Sequence, residues 1–255
     1  MMKKLFLAVI LSALSAQAKL VTKTIEYKEG STALEGYLSF DDSKGLKPGI
    51  VVVHDWMGLS DDTKSRADML AALGYVAFAA DIYGKGVRPK DAAEAGKMAT
   101  RYKSDVKLLR ARVTAAYNTL KSQANVDKSN LAAIGYCFGG TTALELARSG
   151  APLKGVVSFH GGLATPNAAD AKNIKGKVLA LHGADDNYVP AAEVAGFEKE
   201  MRDAKVDWQL VAYGNAVHAF TIKAAGNDNS KGAAYNEKAD KRSWIAMQNF
   251  FKEIF

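Results

Sequence analysis

One glycine-rich segment constrains the fold more than any other part of the chain, and it reads Gly135-Tyr136-Cys137-Phe138-Gly139-Gly140. The short apolar run before it, residues 131–134, is typical of a buried strand, and residues 141–148 have the apolar spacing of a helix. A strand, a tight glycine turn and a helix form a nucleophile elbow, which holds its central residue in a strained conformation above the sheet. The central residue here is Cys137.

The position of Cys137 favours a reactive thiol. A helix N-terminus stabilises negative charge, so a cysteine there is more readily a thiolate than one elsewhere. The plainer interpretation is a small apolar residue before a glycine-rich loop. Because the chain has one cysteine, no internal disulfide can form. A thiol-redox protein is another alternative, weakened by the absence of a resolving cysteine.

The first 18 residues differ from the rest of the chain. Lys3 and Lys4 precede an apolar run at residues 5–11, and Ala16-Gln17-Ala18 is typical of a small-residue cleavage site. The apolar run is too short to span a bilayer. We therefore interpret residues 1–18 as a secretory signal peptide and expect a single domain at residues 19–255, exported to the periplasm or secreted after cleavage near Ala18.

The composition fits one α/β domain, because 48% of the 255 residues are hydrophobic and 24% are charged. The formal net charge is +7, but charges of both signs mix in runs such as residues 199–202 and 237–242, as on solvated helix faces. Since no basic stripe is interleaved with aromatic residues, we expect no nucleic acid partner. No stretch after the leader is long and apolar enough for a membrane helix, so we expect no membrane partner after cleavage.

The remaining pattern predicts the sheet. Residues 21–27 and 34–40 alternate around a turn at Gly30 and Ser31, which predicts an antiparallel hairpin. Predicted buried strands follow at residues 49–53, 75–80, 131–134, 155–159, 177–181 and 208–212, and predicted helices lie at 61–73, 104–120, 141–148, 190–204 and near the C-terminus. This alternation indicates an α/β fold with a doubly wound, mainly parallel sheet and antiparallel N-terminal edge strands.

Histidines and aspartates gather just after the predicted strands. The residues in such positions are His54, Asp55, His160, His182, Asp185, Asp186 and His218. Parallel strands bring their carboxyl ends to one edge of the sheet, where Cys137 is also expected. The sequence therefore predicts a site at this edge, and two chemistries could use it.

The first chemistry is a nucleophile, a base and an acid that orients the base. In α/β-hydrolases these follow the chain order nucleophile, acid, histidine, and only His218 follows an acidic strand-end loop downstream of Cys137. The acid lies in the loop at residues 183–190. There one aspartate can face the histidine while the other caps the turn or the helix that Pro190 opens. The residues alone leave Asp185 and Asp186 both open.

The second chemistry is a metal site built from the same histidines and aspartates. The residue types fit, but no H-x-x-x-H or H-x-H spacing is present, and each candidate comes from a different loop. We therefore expect no metal and no cofactor, and we interpret His54, His160 and His182 as structural residues that bond to backbone.

Several separated motifs together resemble the dienelactone hydrolase family of α/β-hydrolases. They are the elbow at residues 135–140, Asp81-Ile82-Tyr83, the loop at residues 186–190 and His218-Ala219-Phe220. The resemblance extends from about residue 49 to the C-terminus. It implies the α/β-hydrolase fold and a catalytic triad of Cys137, Asp186 and His218.

The resemblance also implies roles for the loop after the first parallel strand, Val53-His54-Asp55-Trp56-Met57-Gly58. In the family an acidic residue here contacts the cysteine, and the next amide forms the oxyanion hole with an elbow amide. Those residues are Asp55, Trp56 and Phe138. The family usually has glutamate where Asp55 stands, so the reach of its carboxylate towards Cys137 is one methylene shorter.

Substrate recognition is where this chain departs from the family. The family's lactones carry a carboxylate held by two arginines, and the corresponding positions hold Lys85 and Ile222, although Arg88 or Lys223 could supply charge nearby. We expect a mainly apolar pocket near Trp56, Tyr83, Phe159 and Phe220. The full set predicted for activation and substrate binding is Asp55, Tyr83, Lys85, Phe159, His160 and Phe220.

The function expected from these observations is hydrolysis of a small ester or lactone through a thioester on Cys137. Neutral aryl esters should be preferred to carboxylated lactones, and neutral phosphate triesters are a possible extension. The alternatives are an inactive binding protein that keeps the fold, and a metal-dependent hydrolase that uses the strand-end cluster.

Overall fold

The computed structural model describes residues 19–255, so the predicted signal peptide lies outside the described residues. Within them, eight strands form one sheet in the order β1-β2-β4-β3-β5-β6-β7-β8. The strands are β1 (Leu20–Glu29), β2 (Thr32–Asp41), β3 (Lys47–Val53), β4 (Val76–Ala80), β5 (Val126–Tyr136), β6 (Gly155–Phe159), β7 (Lys177–Gly183) and β8 (Trp208–Tyr213). β2 pairs antiparallel with both β1 and β4, and every other pair of neighbouring strands is parallel. This arrangement confirms the predicted fold class.

Helices cover both faces of the sheet. They are α1 (Asp61–Ala72), α2 (Ala92–Ser104), α3 (Val106–Lys121), α4 (Phe138–Arg148), α5 (Ala191–Asp203) and α6 (Glu237–Ile254). α1 and α6 pack on one face, and α2 to α5 pack on the other. Along β3, Ile50 and Val52 pack in the core under α1 and α6, whereas Val51 and Val53 pack in the core under α2 to α5. Alternate side chains point to opposite faces, which is why these strands are apolar throughout.

α2 was not expected from the sequence. Only Ala95, Ala99 and Tyr102 of this helix are buried, so its apolar stripe is weak. Its start is instead specified by capping, since Asp91 accepts a hydrogen bond from the amide of Glu94 at 2.8 Å. The next helix begins at Val106 and not at residue 104, because Asp105 caps it.

Asp81 attaches the loop after β4 to the N-terminal hairpin. One carboxylate oxygen accepts hydrogen bonds from the amides of Tyr83 and Gly84, each at 3.1 Å, and the other accepts from the amide of Glu35 at 3.2 Å. The hydroxyl of Tyr27 donates to the carbonyl of Asp81 at 2.7 Å. The edge strands therefore help to position the loop that carries Tyr83.

None of the helices in residues 19–255 is both long and apolar enough to cross a membrane.

Candidate active site

Cys137 stands between β5 and α4 with backbone angles of φ 53° and ψ −116°. A non-glycine residue rarely adopts a positive φ, so the elbow strain expected from the sequence is present. Two glycines make the turn possible by close packing. A Cβ at Gly135 would lie 2.0 Å from the carbonyl oxygen of Gly139, and a Cβ at Gly139 would lie 2.2 Å from the carbonyl oxygen of Val53.

Three side chains from separate loops form a continuous chain of contacts. His218 Nε2 lies 3.0 Å from the sulfur of Cys137, and His218 Nδ1 lies 2.8 Å from Oδ2 of Asp186. Asp186 follows β7 and His218 follows β8. The structure therefore brings together the three residues that the sequence analysis proposed as a triad.

One aspartate of the pair has both of the roles that we expected to be shared. Oδ1 of Asp186 accepts a hydrogen bond from the amide of Tyr188 at 2.9 Å while Oδ2 faces His218. Asp185 is exposed, and its amide donates to the carbonyl of Ala216. The expected division of roles between the two aspartates is corrected accordingly.

Electrostatics in the site favour a protonated histidine. Burial by itself lowers the pKa of His218. The charge of a Cys137 thiolate and the hydrogen bond to Asp186 outweigh burial, and together they raise this pKa to about 10. The two nitrogens of His218 thus face Cys137 and Asp186, and negative charge on these neighbours stabilises the protonated imidazole.

Two backbone amides, those of Trp56 and Phe138, are the ones that the resemblance implies for an oxyanion hole. Phe138 is the first residue of α4, where amides lack partners within the helix, and Trp56 lies in the loop after β3. Neither amide donates a hydrogen bond to another group within residues 19–255. Both are therefore free to bind an oxygen atom that carries negative charge.

Asp55 is partly buried, and its carboxylate accepts a hydrogen bond from the amide of Met57 at 2.8 Å. Burial raises the pKa of Asp55 to about 6. Within the described residues, Asp55 makes no direct hydrogen bond to Cys137. The contact that the resemblance implies is therefore not formed here.

Tyr83 holds the loop after β3 through a hydrogen bond to its backbone. It is buried, and its hydroxyl donates to the carbonyl of Trp56 at 3.0 Å. The hydroxyl of Tyr102 in turn donates to the carbonyl of Tyr83 at 3.0 Å, and the two rings stack at 5.3 Å. Burial raises the pKa of Tyr83 far above its usual range, so the hydroxyl remains a donor. Tyr83 shapes the loop after β3 through this bond.

Lys85 points to the hairpin and not to the cysteine. Its ammonium pairs with Glu26 and lies 3.8 Å from Glu35. The guanidinium of Arg88 donates to the carbonyls of Leu59 at 2.7 Å and Val87 at 2.6 Å. The expected placement of Lys85 in the substrate site is therefore corrected, because its partners lie in β1 and β2.

Phe159 and Phe220 are fully buried core residues. Phe159 stacks on Tyr136 at 4.6 Å, and Phe220 packs edge-on against His160 at 5.0 Å. The predicted apolar pocket does not include them, because each ring is enclosed by the core. Both rings therefore pack in the core, next to the strand ends that carry the site.

His160 lies beside His218. It is fully buried with a φ of 40°, and its Nε2 lies 2.7 Å from the hydroxyl of Thr221. Its ring is 5.4 Å from the ring of His218. Burial, and then the charge of His218, lower the pKa of His160 and keep it neutral. It therefore packs against His218 without adding charge to the site.

Tyr188 also contacts His218, and it was not predicted separately from the sequence. Its ring packs edge-on against His218 with centroids 5.3 Å apart, and the side chain is 63% exposed. Trp56 is also exposed, at 38%. These two side chains can offer apolar surface to a substrate. Tyr188 follows Asp186 by two residues in the loop already singled out, which was the available signal.

In the part of the chain that the structure describes, no group of three or more His, Cys, Asp or Glu side chains is arranged to hold a metal ion. His182 is the penultimate residue of β7, near the charge of Asp186, and burial lowers its pKa. A groove of about 980 Å³ lies beside the acid loop, lined among others by His182, Asp186, Val194 and Leu210. Cys137 is not among the residues that line this groove.

The fold and these contacts define an α/β-hydrolase: a doubly wound sheet, a strained residue at a strand and helix turn, and an acid and a histidine on later loops in that order. The chain belongs to the dienelactone hydrolase family, whose model matches residues 34–255. It is therefore a hydrolase of that family, and the resemblance found in the sequence is confirmed.

Individual similar proteins agree with this family assignment. The solved structure of a dienelactone hydrolase-like promiscuous phosphotriesterase from metagenomic libraries is 44% identical, with a TM-score of 0.89 over 92% of this chain and 99% of that one. A Synechocystis protein named as a candidate carboxymethylenebutenolidase is 26% identical over 235 residues, which cover 86% of this chain and 91% of that protein. A Klebsiella pneumoniae structure described as a candidate dienelactone hydrolase is 21% identical over 92% of this chain and 99% of that one, with a TM-score of 0.79, and it supports the fold alone.

Proposed function

We propose that this hydrolase cleaves carboxylic esters or lactones with Cys137 as the nucleophile and a thioester as the intermediate. One observation carries the proposal: the continuous contact from the sulfur of Cys137 through His218 to Asp186, with distances of 3.0 and 2.8 Å. A nucleophile, a base and an orienting acid in this geometry are what acyl transfer requires.

The proposed reaction begins with a thiolate on Cys137 beside a protonated His218. The thiolate of Cys137 attacks the carbonyl carbon and forms a carbon–sulfur bond, while the amides of Trp56 and Phe138 hold the oxyanion that develops. When the carbon–oxygen ester bond breaks, the imidazolium of His218 gives its proton to the leaving alkoxide. Neutral His218 then takes a proton from water, which attacks the thioester, and the acid product leaves as the thiolate returns.

Mass spectrometry of the protein mixed with a panel of activated esters tests this proposal. We expect an acyl adduct on Cys137, and we expect iodoacetamide to abolish hydrolysis while chelators leave it intact. Hydrolysis that survives complete alkylation and disappears with a chelator would favour the metal-dependent alternative. A protein that forms no adduct and hydrolyses none of the esters would instead be a binding protein.

Neutral phosphate triesters are a second candidate substrate class. The observation that favours them is the 44% identity to a protein whose description names a promiscuous phosphotriesterase activity. Attack by the thiolate on phosphorus would form a phosphorus–sulfur bond and displace an aryl oxide, which takes the proton of His218, while the same two amides would face the phosphoryl oxygen. Water that gives a proton to His218 would then cleave the phosphorus–sulfur bond, release the phosphate diester and restore the thiolate. We expect more than one turnover per protein with an aryl phosphotriester. A single burst with a stable phosphoryl adduct on Cys137 would contradict this.

We also propose that residues 1–18 direct export. The support is the sequence itself, with two lysines, a short apolar run and Ala16-Gln17-Ala18. N-terminal sequencing of the full chain expressed in a bacterium should show a mature protein that begins near Lys19. Retention of Met1 on protein from the periplasm, or an uncleaved cytoplasmic product, would contradict the proposal.

A further inference from the structure

His54 is fully buried, and both nitrogens of its ring have backbone partners. Nε2 accepts a hydrogen bond from the amide of Ile82 at 3.2 Å, so this nitrogen carries no proton. The proton is therefore on Nδ1, which donates to the carbonyl oxygen of Asp55 at 2.5 Å. Burial lowers the pKa of His54 to about 4, and the ring stays neutral near pH 7.

The acceptor of this bond belongs to the peptide group whose N–H is one half of the proposed oxyanion hole. The carbonyl of Asp55 and the amide of Trp56 belong to one planar peptide group. The amide of Gly58 also donates to that carbonyl, at 3.3 Å. Hydrogen bonds accepted by the carbonyl polarise the group and strengthen its N–H as a donor. They also hold the plane in one orientation, so that His54 acts on the Trp56 amide without touching the substrate.

The same ring contacts the other half of the hole. The imidazole of His54 stacks on the ring of Phe138 with centroids 5.8 Å apart and planes within 19°. The imidazole also packs edge-on against the ring of Tyr83, with centroids 4.8 Å apart. The hydroxyl of Tyr83 donates a hydrogen bond to the carbonyl of Trp56. His54 therefore lies between the two segments that carry the free amides.

We propose that His54 is a positioning residue for the transition state, which orients and polarises the peptide between Asp55 and Trp56 so that its N–H meets the oxyanion. The proposal rests on the proposed function, because it takes the Trp56 amide as an oxyanion donor. It goes beyond a packing role, in which any buried side chain that fills the same volume would serve.

Two substitutions separate the two ring nitrogens. His54→Asn places a side-chain amide donor where Nδ1 lies and leaves the Ile82 amide without a partner. His54→Gln reaches the position of Nε2 with an acceptor for Ile82 and leaves the Asp55 carbonyl without its side-chain donor. The pair therefore tests which of the two bonds matters to catalysis.

We expect His54→Gln to lower kcat for a neutral aryl ester by about 30-fold, somewhat less than the roughly 100- to 1,000-fold lost when an oxyanion donor is removed outright. His54→Asn should keep kcat within about threefold of the wild type, and KM should change little in either variant. The loss in kcat should not follow the melting temperatures, because both variants lose one buried hydrogen bond. The rate at which iodoacetamide alkylates Cys137 should be unchanged, since that reaction needs the thiolate and no oxyanion hole.

The proposal is overturned if His54→Gln has the kcat of the wild type, or if both variants lose kcat equally while Cys137 alkylates normally. A loss of kcat that tracks the melting temperature in both variants would also overturn it. If the wild-type protein keeps its esterase activity after complete alkylation, the proposed function itself fails. The alkylation of the wild type thus distinguishes the two failures.

Discussion

The amide of Tyr188 donates to Oδ1 of Asp186 at 2.9 Å, which leaves Oδ2 to face Nδ1 of His218 at 2.8 Å. One carboxylate therefore shapes the turn after β7 and orients the histidine.

Asp186→Asn should impair turnover without unfolding the protein. An asparagine oxygen can still accept from Tyr188, but its NH₂ group would face Nδ1 of His218 and impose the wrong tautomer. We expect kcat to fall by about 10³ to 10⁴, as in other triads, with a nearly unchanged melting temperature. Asp185→Asn is the matched control and should change neither quantity. Inactivity of the Asp185 variant would show that the acid is misassigned.

Replacing Cys137 by serine should lower the pKa of His218. The thiolate is the largest of the influences that raise this pKa, and a neutral hydroxyl cannot replace its charge. NMR titration of the imidazole should show His218 still protonated at pH 8 in the wild type and titrating at lower pH in Cys137→Ser. An identical titration in both proteins would contradict the ion pair.

Asp55→Asn should stabilise the protein in a pH-dependent way. Burial raises the pKa of Asp55 from 3.8 to about 6, so its contribution to stability is complete below pH 3.8 and is lost as the pH rises through 6. We expect urea denaturation to show a gain of roughly 1–3 kcal/mol at pH 8, since one pKa unit corresponds to about 1.4 kcal/mol, and a much smaller gain at pH 4. Asp185→Asn, at an exposed position, is the control. Equal gains at both pH values would contradict the argument.

Uncharged substrates should be preferred to carboxylated ones. The ammonium of Lys85 is paired with Glu26 on the hairpin, and Ile222 offers no charge. We expect kcat/KM for an uncharged aryl ester to exceed that for dienelactone, and Lys85→Ala to leave both values unchanged. A tenfold preference for dienelactone, about 1.4 kcal/mol, would show that another cation binds the carboxylate.

Gly135→Ala should destabilise the fold strongly. The new Cβ would lie 2.0 Å from the carbonyl oxygen of Gly139, and rigid backbone on both sides leaves little room for relaxation. We expect a loss of at least about 3 kcal/mol, beyond the usual range for overpacking. Gly196→Ala is the control, because this exposed position in α5 has open space and should gain roughly 0.5–1 kcal/mol. A mild effect at Gly135 would show that the elbow can shift.

The sequence predicted the sheet well where the local signal was strong. The strand of residues 155–159 was placed at its observed bounds because all five residues are buried and none interrupts the run. α2 was missed because only two alanines and one tyrosine of this helix are buried, which leaves a weak apolar pattern in the sequence. Its capping residue Asp91 was the stronger signal, and apolar spacing alone does not detect it.

The sequence by itself determined which chemistry was available: a single thiol in a glycine turn, and an acid and a histidine on later loops in the order of an α/β-hydrolase. That information lies in neighbouring residues and in chain order. Only the tertiary structure decided which atoms pair, since Lys85 meets Glu26 across 59 residues and His54 meets Ile82 across 28. Packing then decided the surroundings of each group: loss of hydration keeps His54 neutral, and the core encloses Phe159 and Phe220. The loop after β7 brings Asp186 to both the amide of Tyr188 and the ring of His218.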